Sequence, residues 1–173
     1  MNLYLMRHGI AVPADDPSVV HDGDRPLTRK GIKRTRKAAR GMRRLSIPFD
    51  VILTSPVLRA RQTADIVAGE LDAEALVKEI SSLAPESTVD QLLFGLTRFQ
   101  NHEHLLLVGH EPLLSNALAV LLGGQPANSL TFEFKKGALC RVEIDTLSPP
   151  LRGKLHWFLT SKQMRLLGGQ PAK

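Results

Sequence analysis

The chain has 173 residues and a mass of 19.0 kDa, the size of one domain that can bury a core without disulfides or metal. Cys140 is its single cysteine, which excludes an internal disulfide framework and a Cys-rich zinc site and fits a reducing compartment. The net charge of +6 comes from one segment: ten basic residues and no acid lie between Arg25 and Arg44, and the rest of the chain is net acidic. Such a stripe reads first as a solvated helix face, second as a dock for an acidic protein and last as a nucleic-acid footprint, so no nucleic acid is expected. The longest apolar stretch, Leu113 to Leu122, is far short of the roughly 20 residues of a membrane span. Arg7 and His8 stand where a signal peptide would need its apolar core. A cytoplasmic protein without a membrane partner is the expectation.

In chain order, Leu3 to Met6 is a short apolar run that stops at Arg7-His8-Gly9. Thr28 suits a helix N-cap, and Ile32, Ala38, Ala39, Met42 and Leu45 recur at helical spacing, which puts most arginines and lysines on the opposite face. Val51 to Leu53 is a second apolar run, ending at Thr54-Ser55-Pro56. Ser55-Pro56 reads as an N-cap and first turn, followed by the stripe Val57, Ala60, Ala64, Val67 and Leu71. Ser87 to Phe99 reads as a further helix. Leu105 to Val108 is a third short run, ending at Gly109-His110-Glu111-Pro112. Leu113 to Leu122 reads as a helix stopped by Gly123-Gly124.

The last third changes character. Thr131 to Phe134 and Leu139 to Ile144 alternate around Lys135-Lys136-Gly137, predicting a hairpin, and Leu155 to Leu159 suits one more strand. No repeat or linker interrupts the pattern. One layered α/β domain over 1–165 with a tail over 166–173 is expected: a mainly parallel sheet with an antiparallel element, flanked by helices. Ligands of such sheets bind beyond the carboxyl ends of the strands. Three strand ends lead to Arg7-His8, to Ser55 and Arg59, and to His110.

Two guanidiniums offer donor forks matched to phosphate oxygens, and two imidazoles in different protonation states can share the work of phosphoryl transfer. A neutral imidazole attacks phosphorus while a cationic one holds a phosphoryl oxygen. Neighbouring cations keep a histidine unprotonated, whereas bound phosphate favours a cationic one. Each residue alone has an ordinary reading: His8 in a surface or capping pair, Arg59 in a solvated first turn, His110 in the core. Their convergence is what points to chemistry. His102-Glu103-His104 has a spacing open to a divalent ion, but in a polar loop before a strand it makes a weak metal site. Trp157, Phe158 and Cys140 read as packing residues, and His21 and His156 as surface or packing histidines.

Leu3-Tyr-Leu-Met-Arg-His-Gly9 resembles the Arg-His-Gly signature of the histidine phosphatase superfamily, the phosphoglycerate mutase-like proteins. Asp24-Arg-Pro-Leu-Thr-Arg-Lys-Gly31 resembles its Pro-Leu-Thr-x-x-Gly element, and Thr54-Ser-Pro-Val-Leu-Arg-Ala-Arg-Gln-Thr-Ala64 its Ser-Pro-x-x-Arg-Ala-x-Gln-Thr element. Leu106-Leu-Val-Gly-His-Glu-Pro112 resembles the Gly-His-x-Pro segment. Within the superfamily the chain is most similar to the SixA branch of bacterial phosphohistidine phosphatases, including its tail from Lys136 to Phe158. The resemblance implies His8 as the phosphorylated nucleophile, Arg7 and Arg59 as phosphoryl ligands, His110 as a cationic donor, and no metal or other cofactor. Arg25, beside the Pro-Leu-Thr element, would bind substrate at the pocket mouth.

Larger members carry an acidic residue that protonates the leaving oxygen. Here none aligns, and Asp22, Asp24, Glu79 and Glu86 are the candidates. A missing acid hurts alkyl esters most and phosphohistidine least. The expected activity is removal of phosphate from phosphohistidine on a protein. The alternatives are a phosphatase of small phosphate esters or other phosphoproteins, and a silent phosphate-binding module. Lys33, Arg36 and Arg40 would steer an acidic phosphocarrier protein.

Overall fold

The computed structural model describes residues 1–123 and 130–169. Six strands form one sheet: β1 (Asn2–Arg7), β2 (Val51–Thr54), β3 (Val77–Glu79), β4 (His104–Gly109), β5 (Leu139–Ile144) and β6 (Gly153–Leu159). Their order is β3-β2-β4-β1-β5-β6. The first four are parallel, whereas β5 runs antiparallel to both β1 and β6. Among the described residues, five α-helices flank the sheet: α1 (Arg29–Arg44), α2 (Leu58–Leu71), α3 (Val89–Leu96), α4 (Leu113–Leu121) and α5 (Ser161–Gly169). None of the described helices is long and apolar enough to cross a membrane.

Successive strand residues feed opposite layers, as the pleat requires. Leu3, Leu5, Leu53, Leu105 and Leu107 pack with Leu92, Leu114 and Leu118 of α3 and α4. Tyr4, Met6, Ile52, Leu106 and Val108 pack with Ala38, Ala39 and Met42 of α1, Ala60, Ala64 and Val67 of α2, and Met164 of α5. Thr28 caps α1, its hydroxyl accepting from the Gly31 amide at 2.9 Å. Gly123, at φ 83°, ends α4 in a left-handed conformation, and Gly124 lies outside the described residues.

Two expectations are corrected. The hairpin over 131–144 does not form: Lys135-Lys136-Gly137 does turn, but β5 has β1 on one edge and β6 on the other, leaving no edge for 131–134. Ser55 is not a helix cap. Val57 holds that position, and the Ser55 hydroxyl accepts from the Val57 amide at 3.3 Å and faces His110. The expected boundary at 165/166 falls inside α5.

Helix α5 lies almost backbone-to-backbone on α1. A Cβ on Gly41 would sit 2.2 Å from the Met164 carbonyl oxygen, and one on Gly168 2.1 Å from that of Lys37. Neither carbonyl can swing aside without moving a helix. Gly41→Val should therefore destabilise the protein by about 2 kcal/mol, the usual scale of overpacking, despite the better helix propensity of valine. Urea unfolding checks this, and an unchanged midpoint would mean that α5 does not hold this position.

Candidate active site

The site is built at the carboxyl ends of β1, β2 and β4, neighbours in the sheet. Arg7 and Gly109 are register partners, so the next residues, His8 and His110, leave the sheet side by side. The His8 amide donates to the Gly109 carbonyl at 3.1 Å, and the Ser55 amide to that of Val108 at 3.0 Å. The imidazoles of His8 and His110 lie with centroids 5.0 Å apart. Both are buried, as are Arg59, Ser55 and Thr63.

The His8 ring has a defined orientation. Its Nδ1 is 2.7 Å from the Gly9 carbonyl oxygen. A carbonyl only accepts, so Nδ1 carries the proton and Nε2 the lone pair. Burial first, then the neighbouring His110, Arg59 and Arg7, pull the pKa down to about 3, against the Gly9 bond that raises it. His110 is lowered to about 4, by burial first and then by Arg59 and Arg7, with Asp22 opposing. At neutral pH burial, helped by these neighbours, holds both rings uncharged, so the cationic His110 expected from the sequence requires a further negative partner.

These shifts give stability a pH dependence. Neutral imidazoles are favoured in the folded state, and the unfolded chain, with histidine near 6.5, binds more protons as pH falls. The contribution is fully present above about pH 6.5 and is lost as pH falls, down to about 4 for His110 and about 3 for His8. His8→Asn should flatten the rise in unfolding free energy between about pH 3 and 6.5, measured in urea at several pH values. An unaltered slope would contradict the buried neutral state.

The arginines approach from both sides. Arg7 Nη1 donates to the Phe134 carbonyl at 2.6 Å, and its buried Nε has no hydrogen-bond partner among the described residues. The same holds for His110 Nδ1, while His110 Nε2 lies 2.9 Å from Ser55 Oγ. Unpaired buried polar atoms are uncommon, and here two of them belong to groups that suit an oxyanion. Arg59 Nη1 donates to the Asp22 carbonyl at 2.8 Å, and Nη2 sits 3.0 Å from Asp22 Oδ2. Arg25 reaches the same carboxylate, Nη1 to Oδ1 at 2.6 Å, and donates from Nε to the Val12 carbonyl. Arg25 thus stands beside Arg59 through Asp22.

Of the four carboxylates considered from sequence, only Asp22 contacts these arginines. Glu79 pairs with Arg61. Asp22 is held below the usual carboxylate range, chiefly by its bond to Arg25. Glu111, next to His110, was not singled out. Burial raises its carboxyl pKa, and its Oε1 has no partner among the described residues.

Sequence reasoning also missed the groups that tie the motifs together. Thr63 donates its hydroxyl to the Arg59 carbonyl at 2.7 Å and accepts from the Gly9 amide at 3.0 Å. Gln62 accepts from the Leu27 amide at 2.7 Å, fixing the Pro-Leu-Thr element to α2. The Gln-Thr pair in the third motif was the available signal. Away from the site, His104 bonds the Tyr4 hydroxyl and His102 faces the Phe99 carbonyl, so this pair serves packing. His156 pairs with Glu143, and burial pushes the Cys140 thiol up to about 12.

Residues 3–82 match the family model of the histidine phosphatase superfamily, branch 1. The chain is 42% identical over 136 residues to an uncharacterised protein of Picosynechococcus sp., covering 77% of this chain and 80% of that one. It is 25% identical to the phosphohistidine phosphatase SixA of Escherichia coli over 96% of this chain and 98% of the relative. The structure of the protein histidine phosphatase SixA complexed with tungstate superposes with a TM-score of 0.80 at 26% identity, covering 94% and 98% of the two chains. The chain belongs to the histidine phosphatase superfamily. It is a phosphatase of the phosphoglycerate mutase-like α/β fold, similar throughout its length to SixA.

Proposed function

We propose that the protein removes phosphate from phosphohistidine on a protein, without a metal, through a phosphoryl intermediate on His8. The observation that carries the mechanism is the His8 ring, protonated on Nδ1 by its bond to Gly9 and presenting a free lone pair on Nε2 between Arg7, Arg59 and His110. In the first step Nε2 forms a bond to phosphorus while the substrate P–N bond breaks, its electron pair leaving on the substrate imidazole. In the second, water attacks the phosphorus and the bond to His8 breaks, releasing inorganic phosphate. Arg7 and Arg59 neutralise the equatorial oxygens. The phosphoryl group supplies the negative partner that His110 needs to become a cationic donor.

The substrate class is supported by the carboxylate at the site. Asp22, paired with Arg25 and Arg59, is ionised and has no proton to give. An alkoxide leaves poorly without one, whereas a phosphohistidine can take its proton from solvent on the other ring nitrogen. The similarity to SixA supports the same reading. A second reading, hydrolysis of small phosphate esters, is favoured by Glu111, whose raised pKa suits a proton donor.

The experiment compares kcat/KM for a phosphohistidine-bearing bacterial protein and for alkyl phosphates, with wild type and Glu111→Gln, in the presence of a chelator. Preference for the phosphohistidine protein, untouched by Glu111→Gln, supports the first reading. Faster turnover of an alkyl phosphate, lost in Glu111→Gln, would establish the second.

A further inference from the structure

Next to the phosphoryl site lies a second cavity, of about 320 Å³, lined by Gly9, Arg34, Lys135, Lys136, Lys162 and Arg165, together with hydroxyl-bearing residues such as Thr35 and Ser161. It has five cations and no carboxylate in its lining. Only Lys135 has an ion-pair partner among the described residues, Glu133 at 3.6 Å. Arg165 donates from Nε to the Ser161 carbonyl, which leaves its outer nitrogens for another acceptor. The cavity and the phosphoryl site share a wall. The Gly137 amide donates to the carbonyls of both Arg7 and His8, and Gly9 follows the nucleophile directly. Lys136 lies close enough to Arg7, Arg25 and Arg59 for their charges to lower its pKa, after desolvation.

The outer face of α1 is a weaker dock than its sequence suggests. Arg36 and Arg40 both pair with Glu70 of α2, and Arg43 pairs with Asp72 just after it, so part of this stripe is already offset. At the cavity, by contrast, Arg34, Lys136, Lys162 and Arg165 converge on one space with no ion-pair partner among the described residues and no acid in the lining. Its lysines are exposed ammoniums on flexible stems, unlike the buried guanidinium of Arg59. Exposed lysines suit carboxylates on a protein surface, through weak contacts that add specificity and speed encounter.

We infer that this cavity receives acidic side chains of the substrate protein that flank its phosphohistidine. The inference rests on the proposed function and names the feature by which the same site would choose among phosphoproteins.

The test uses two phosphohistidine peptides, one with glutamates and one with serines flanking the phosphohistidine, and the variant Arg34→Glu/Lys162→Glu. Wild type should favour the acidic peptide by about tenfold or more in kcat/KM, with a steep fall in salt. The variant should lose that preference, while its activity on an aryl phosphate falls far less. Equal preference in wild type and variant would overturn the inference. An unphosphorylated hexaglutamate peptide, followed by NMR at the lining residues Thr160 and Ser161, separates the two claims. If neither phosphopeptide is turned over but hexaglutamate shifts these resonances in wild type and not in the variant, the cavity stands and the phosphohistidine reading falls. Shifts with inorganic phosphate but none with hexaglutamate would overturn the assignment to acidic side chains.

Discussion

Replacing His8 with alanine should lower kcat by about 10⁴-fold or more on every substrate, the order of loss seen when a covalent nucleophile is removed. No other described group is placed to take over. His110, whose ring centre is 5.0 Å away, has Nε2 facing the Ser55 hydroxyl, which accepts from the Val57 amide and so donates to Nε2, leaving the proton on Nδ1. The variant should remain folded, because His8 donates only one side-chain hydrogen bond, to the Gly9 carbonyl beside it. Circular dichroism and steady-state kinetics on the same preparation separate loss of chemistry from loss of fold. Residual turnover within tenfold of wild type would mean that water attacks the substrate directly.

Replacing Arg59 with alanine should cost about 10²–10³-fold in kcat/KM, the range for removing one donor from a developing oxyanion. The guanidinium is buried, so its charge acts across little water, and both terminal nitrogens point into the site region where Asp22 meets them. Arg59→Lys should recover only part of the loss, because an ammonium cannot present two parallel donors. The loss should also be larger for a phosphoryl substrate than for binding of sulfate as a bystander anion. An Arg59→Ala enzyme within fivefold of wild type would remove Arg59 from the machinery.

The strand ends that make the site are legible in the sequence because each is a short apolar run broken abruptly by charged or turn residues. Such a run must be buried and must stop where the sheet stops. Thr28 as cap of α1 is legible for a similar local reason, a hydroxyl three residues before an amide without a helical partner. Elsewhere tertiary partners override local rules. Ser55 has the identity and neighbour of an N-cap, yet its hydroxyl lies against the buried His110, two positions too early to cap α2. Strand β3 spans only three residues, Val77 half-buried and Lys78 and Glu79 exposed, and shows no alternation from which to read it. The contact of α5 with α1 rests on Gly41 and Gly168, whose meaning emerges only when two distant backbones are brought together. Asp22 could not be ranked above Asp24, Glu79 and Glu86 because loop geometry, not spacing, carries it to Arg25 and Arg59.

The central claim is that phosphate passes through His8, and trapping the intermediate tests it most directly. Wild type would be mixed with a ³²P-labelled phosphohistidine protein, quenched in base within milliseconds, digested, and its peptides mapped. The account predicts label on the peptide containing His8, stable in base and lost in acid as a phosphoramidate should be. Turnover without any labelled enzyme peptide, or label on a peptide containing His110 instead, would contradict it.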